Sequence, residues 1–181
     1  MKRYPTLPHI ADAPPDLFDS GHLWLTEYVV GAHLRFTMDA SGLVRFGDRT
    51  RTYDPSESLP DPYERGVEHV RANLRRDTLR AAVDTSEVVF FGQVPDADAY
   101  DDAPAFLGFG VWSGERFRPP DAVSGIFGEI GLSPVNAFER ELHTRDFDPD
   151  SYRLPGSAWR DGSAAGAVVE NKTGDRAVLR R

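Results

Sequence analysis

Cysteine is absent from the 181-residue chain and lysine nearly so: Lys2 and Lys172 stand against 19 Arg. Without cysteine there are no disulfides, thiolate metal sites or thiol nucleophiles, which leaves histidine and carboxylates for any metal. Covalent lysine chemistry has two candidates in the whole chain, and neither lies in an obvious site motif. Long apolar runs are missing too. No stretch of ~18 apolar residues suggests a membrane span, and the opening MKRYPTLPHIADAPPDLF is too polar and proline-rich for a secretory leader, so a cytoplasmic protein is expected. His9, His22, His33, His69 and His143 show no HxH or HExxH spacing, and no metal is assigned. GxxxxGK[ST], GxGxxG after a strand and GxSxG are all lacking, which excludes P-loop, Rossmann and nucleophile-elbow readings.

What is present is acid and arginine. The net charge is −8, from 19 Asp and 10 Glu against 21 basic residues. Broad attraction to nucleic acid is therefore disfavoured, and any such site must be a local arginine cluster. With 40% hydrophobic residues, 1–181 reads as one compact domain. Residues 1–20, rich in proline and acid, read as an extended arm laid over it. HLWLTEYVV, GAHLRFTMD and GLVRFGD alternate apolar and polar residues, with Asp39-Ala40-Ser41-Gly42 as a turn, and predict an opening antiparallel meander. Val67, Val70, Leu74, Leu79 and Val83 recur at helical spacing and predict one amphipathic helix from Tyr63 to Asp84. Its arginines, Arg71, Arg75, Arg76 and Arg80, read as a solvated face or as contacts for RNA phosphates. Strands are predicted at Glu87–Gly92 and Phe106–Trp112, then a turn at Ser113–Glu115 and a short strand ending at Pro119-Pro120. Asp121 is expected to cap a helix reaching about Ile130, and Ala165–Glu170 to pair with Arg176–Leu179 in a last hairpin.

Against this order of elements, Thr26-Glu27-Tyr28-Val29-Val30-Gly31-Ala32-His33, Arg45-Phe46-Gly47-Asp48-Arg49-Thr50-Arg51, Val89-Phe90-Phe91-Gly92-Gln93, Phe106-Leu107-Gly108-Phe109-Gly110-Val111 and Ala165-Gly166-Ala167-Val168-Val169-Glu170 fall in sequence. Together they resemble the motifs of ATP-dependent RNA ligase adenylation domains, in the covalent nucleotidyltransferase superfamily. The resemblance runs nearly end to end, and it rests on order and spacing, since each motif alone is unspecific. It implies an α+β fold with curved antiparallel sheets around a nucleotide-sized cleft, like the ATP-grasp-like ligase core. No C-terminal accessory domain is expected.

The ionisable motif positions are the ones that differ. Tyr28 stands at the nucleophilic lysine, Gln93 and Gly110 replace acids, and Ala165 replaces the glutamate of the last motif. A phenol with an ordinary pKa of ~10 is a poor substitute for an activated amine, and the loss of carboxylates weakens a hard-cation site. The resemblance implies nucleotide-binding roles for Glu27, Tyr28, His33, Arg49, Gln93 and Phe109. Bland readings stand beside these: Glu27 as a solvent-facing strand residue, Phe109 as core, His33 as structural, and Arg49 and Arg51, two apart on a strand, as partners of Asp48 or Asp54. The expected function is an RNA-ligase-like protein, inactive in self-adenylylation, that binds ATP, AMP or an RNA end in RNA repair or processing. Two alternatives stay open: an active nucleotidyltransferase with displaced chemistry, and a scaffold that docks a protein partner.

Overall fold

The computed structural model describes residues 1–19, 21–82 and 87–181. Ser20, Val83 and Asp84, which the sequence reading assigns to the arm and the helix, lie outside the described residues. The strands are β1 (His22–Glu27), β2 (Gly31–Met38), β3 (Val44–Gly47), β4 (Val88–Pro95), β5 (Leu107–Ser113), β6 (Ser133–Pro134), β7 (Ala137–His143), β8 (Gly166–Asn171) and β9 (Arg176–Arg180). The helices are α1 (Tyr63–Asn73), α2 (Arg76–Ala82) and α3 (Pro120–Glu129). Two sheets form, ordered β7-β1-β8-β9 and β3-β2-β4-β5-β6, antiparallel except for the short β5–β6 pair.

The meander expectation holds for β2 and β3 and fails for β1, which pairs with β7 and β8 in the other sheet. Alternation predicts a strand but not its partner. The chain changes sheets over Tyr28–Val30: the Tyr28 amide donates to Gly166 O at 3.0 Å, and Val30 O accepts from the Asp96 amide at 3.0 Å. Val29 is buried there with Tyr100 and Leu107. Gly31 follows because any Cβ would lie 2.0 Å from Val94 O.

Each sheet has its own core. Leu34, Phe36 and Phe90 of the five-stranded sheet pack with Val67, Val70 and Leu79 of α1 and α2 and with Val123 and Phe127 of α3. Phe36 and Phe90 stack at 4.9 Å, and burying each ring contributes about 1.5–3 kcal/mol. Leu23, Leu25, Val169 and Leu179 of the four-stranded sheet pack with Leu17 and Phe147. Because side chains alternate along a strand, the faces left over are turned to a cleft between the sheets.

The single helix of the sequence reading is two. Leu74 leaves helical geometry (ψ 118°) and is buried, and the Arg75 amide donates to Ile130 O at 2.8 Å, so a tertiary contact overrides the local period. At α3, Pro119 is the cap residue and Pro120 starts the helix. Asp121 therefore sits in the first turn rather than capping it. The last hairpin forms as expected, closed by Asn171, whose side-chain oxygen accepts from the amides of Thr173, Gly174 and Asp175. Strand β7 is unforeseen by the sequence reading.

Candidate functional site

The cleft measures about 390 Å³, within the range of small-molecule sites. It is lined by β1 and β8 on one side and by β2, β4 and β5 on the other, with Arg49 from the turn after β3, Tyr63 from α1 and Tyr4 from the arm. All six positions singled out in the sequence, Glu27, Tyr28, His33, Arg49, Gln93 and Phe109, line it. A larger depression of about 510 Å³, bordered by Thr37, Arg45 and Arg80, holds none of them.

Glu27 is 1% exposed, which overturns its reading as a solvent-facing residue. One carboxylate oxygen accepts from the Ser157 hydroxyl and the other from the Ala158 amide at 3.1 Å, so the carboxylate holds the 157–158 loop against β1. The ring of Tyr28 lies under the Arg180 guanidinium, 5.0 Å from its centroid. The ring packed on Phe109 is that of Tyr4, at 4.9 Å. Gln93 is tied as well, donating to Gly31 O at 2.5 Å.

His33 is 6% exposed, and its ring meets Phe109 edge-on at 5.3 Å. Burial first, then the charges of Arg49 and Arg35, lower its pKa to about 4, so it is neutral at pH 7. Its Nε2 is buried without a hydrogen-bond partner. A buried orphan polar atom beside a cleft marks a place where a ligand or water completes the bonding.

Phe109 faces the cleft because of a register shift: Phe91 pairs with Gly110 and Gly92 with Gly108, which leaves Phe109 as the extra residue. Arg49 and Arg51 are not on a strand. β3 ends at Gly47, and the Asp48 carboxylate accepts from the amides of Thr50 and Arg51 to form a turn. That turn separates the two arginines: Arg51 pairs with Glu57 at 2.6 Å, while Arg49 lines the cleft and forms no ion pair among the described residues.

Glu170 and Arg176 belong to the site without having been singled out for it. Arg176 Nη2 lies 3.0 Å from Glu170 Oε1, and burial raises the Glu170 pKa to about 7 although the arginine opposes it. Ser157, Tyr63 and Tyr4 were also missed; each reaches the site from far along the chain and carries no local signal.

The donor set does not fit a divalent cation. Of the two acids lining the cleft, Glu27 is consumed by the 157–158 loop and Glu170 by Arg176, while Gln93, Gly110 and Ala165 carry no charge. No group of three or more His, Cys, Asp or Glu gathers in metal-binding geometry among the described residues. Neither lysine lines the cleft: Lys2 sits over Trp112 at 4.3 Å and Lys172 over Trp24 at 5.5 Å.

No protein-family model and no curated protein matches this sequence. Solved structures do match its fold. A mutant of the Naegleria gruberi RNA ligase with AMP and Mn aligns with a TM-score of 0.70 at 10% identity, covering 99% of this chain and 56% of that one. An apo mutant of the same ligase gives 0.71 at 9% identity, with 99% and 56% covered. An archaeal ATP-dependent RNA ligase gives 0.66 at 15% identity, with 99% and 48% covered. The chain thus spans about half the length of these ligases. It has an RNA-ligase nucleotidyltransferase-like α+β fold, with antiparallel sheets and few helices. Among the described residues no helix is long and apolar enough to cross a membrane.

Proposed function

We propose that this chain is a binding relative of the RNA ligase core: it holds a nucleotide or a 5′-phosphorylated RNA end in the cleft and forms no covalent adduct with it. The observation that carries this reading is the state of charge in the cleft. Both acids there have internal partners, His33 is neutral with an unpartnered Nε2, and Arg49 is left without a counter-ion among the described residues. Such a site favours an anion, and a guanidinium is well suited to a phosphate. Phe109 offers the ring surface that a base stacks on.

The absence of lysine from the lining argues against a lysyl-AMP intermediate. Tyr28, the residue at the corresponding motif position, lies beneath Arg180. We place the role in RNA repair or processing in the cytoplasm. Titration with ATP, AMP and 5′-phosphorylated RNA at low and high salt tests the proposal. Binding that weakens with salt and weakens again in Arg49→Ala is expected. No binding to any of the three overturns it, as does a stable labelled band on a denaturing gel after incubation with labelled ATP.

A further inference from the structure

Tyr4 fills the aromatic end of the cleft although it belongs to neither sheet. Its ring centroid lies 4.9 Å from that of Phe109, 5.1 Å from Phe91, 5.4 Å from Phe117 and 5.9 Å from His33. Its hydroxyl accepts a hydrogen bond from Arg176, whose guanidinium lies 4.8 Å from the Tyr4 and Phe117 ring centroids and pairs with Glu170. Every wall of this slot except Tyr4 itself comes from the sheets or from the turn after β5. The slot is also made to size: a Cβ at Gly110 would lie 2.9 Å from Tyr4 Cε2. Gly110 is the position at which the resembling ligase motif carries an aspartate, so the lost acid and the inserted ring go together.

The backbone ties the arm at both ends of this segment. Arg35 donates to the carbonyls of Met1 and Lys2 at 3.0 and 2.5 Å, and the Val178 amide donates to Pro8 O at 2.8 Å. Between these ties the chain has no helix or strand and places one flat ring with a polar tip in the slot. A nucleobase has the same character: two apolar faces and a hydrogen-bonding edge.

We propose that the arm is a built-in plug, with Tyr4 holding the place of the ligand's base, so that a nucleotide enters only as residues 3–7 swing away. This rests on the nucleotide-binding reading above and adds its regulation. On release, the Arg176 donor that Tyr4 engaged becomes free for the edge of the base. A ligand that must wait for the open form binds with an apparent affinity reduced by the fraction of molecules that are open.

AMP binding by calorimetry to the full chain and to Tyr4→Ala and Tyr4→Phe tests the plug, with circular dichroism to establish that each variant folds. With the open form at ~10% or less, Tyr4→Ala tightens binding about tenfold or more. Tyr4→Phe falls between wild type and Tyr4→Ala. If wild type binds AMP and Tyr4→Ala binds it equally or more weakly, Tyr4 is a fixed wall of the site and the plug is wrong while the nucleotide reading stands. If no variant binds AMP, the nucleotide reading falls and the plug with it.

Discussion

Glu27 and Glu170, on the four-stranded sheet, face the cleft with partners already in place, whereas His33, on the five-stranded sheet, faces it with an orphan nitrogen. One wall spends its polar groups on the protein: a loop 130 residues away along the chain and an arginine on the neighbouring strand. On the other wall Gln93 is tied to Gly31 O, but His33 Nε2 and, at the rim, Arg49 stay available. On the proposed reading, this difference is what suits the cleft to an anion rather than a cation.

The largest effect on this contrast is expected from Arg176→Met, which strips Glu170 of its partner. Leaving a buried charge unpaired costs about 3–5 kcal/mol. The loss, read from urea unfolding, should be large at pH 8 and smaller at pH 5, where the Glu170 carboxyl, with its pKa raised to about 7, is protonated. Equal losses at both pH values would break the contrast. Glu27→Ala comes next: the Ser157 hydroxyl and the Ala158 amide lose their acceptor, at a cost of about 2 kcal/mol. Faster hydrogen exchange at Ala158 should accompany it.

The two walls also titrate in opposite senses. Glu170 is raised to about 7 from an ordinary 4.5, so the folded chain keeps a proton that the unfolded chain has released. Its contribution to stability is complete below 4.5 and is lost as the pH rises through 7. His33 is lowered to about 4 from 6.5, so there the unfolded chain holds the extra proton and stability rises between those values. Between pH 4.5 and 6.5 the two slopes oppose each other. Glu170→Gln should therefore unmask a rise in stability over that window and His33→Gln a fall, both measured as unfolding midpoints against pH.

The smallest effect on stability is expected at the turn after β3. Arg51→Ala removes an exposed pair with Glu57 and should move neither the unfolding midpoint nor AMP affinity appreciably. Arg49→Ala should also leave the midpoint in place but weaken AMP binding roughly tenfold or more, the worth of one charge-assisted hydrogen bond.

Residues that act through local pattern were legible in the sequence. The β2–β3 and β8–β9 hairpins follow from alternation and turn chemistry, and the six cleft positions follow from the order of short motifs. What was hidden depends on distance along the chain or on context. β1 alternates as a meander strand would, yet its partners lie more than 100 residues away. β7 escaped because Glu139, Arg140 and Glu141 are exposed in the middle of an edge strand, with no apolar alternation to announce it. The helix break at Leu74 is dictated by a carbonyl at Ile130. Tyr4 and Ser157 have no signature, since an arm residue and a loop serine acquire roles only when the chain brings them to the cleft.

The central claim, a nucleotide held in the cleft without a bond to the protein, is tested most directly by intact-protein mass spectrometry of the chain incubated with ATP, recorded under native and then denaturing conditions. A nucleotide-bound species in the native spectrum that reverts wholly to the unmodified mass on denaturation is the predicted result. A denatured protein heavier by one AMP unit would contradict it, because some side chain would then have performed the chemistry that the cleft, with Tyr28 in place of a lysine, is read as having given up.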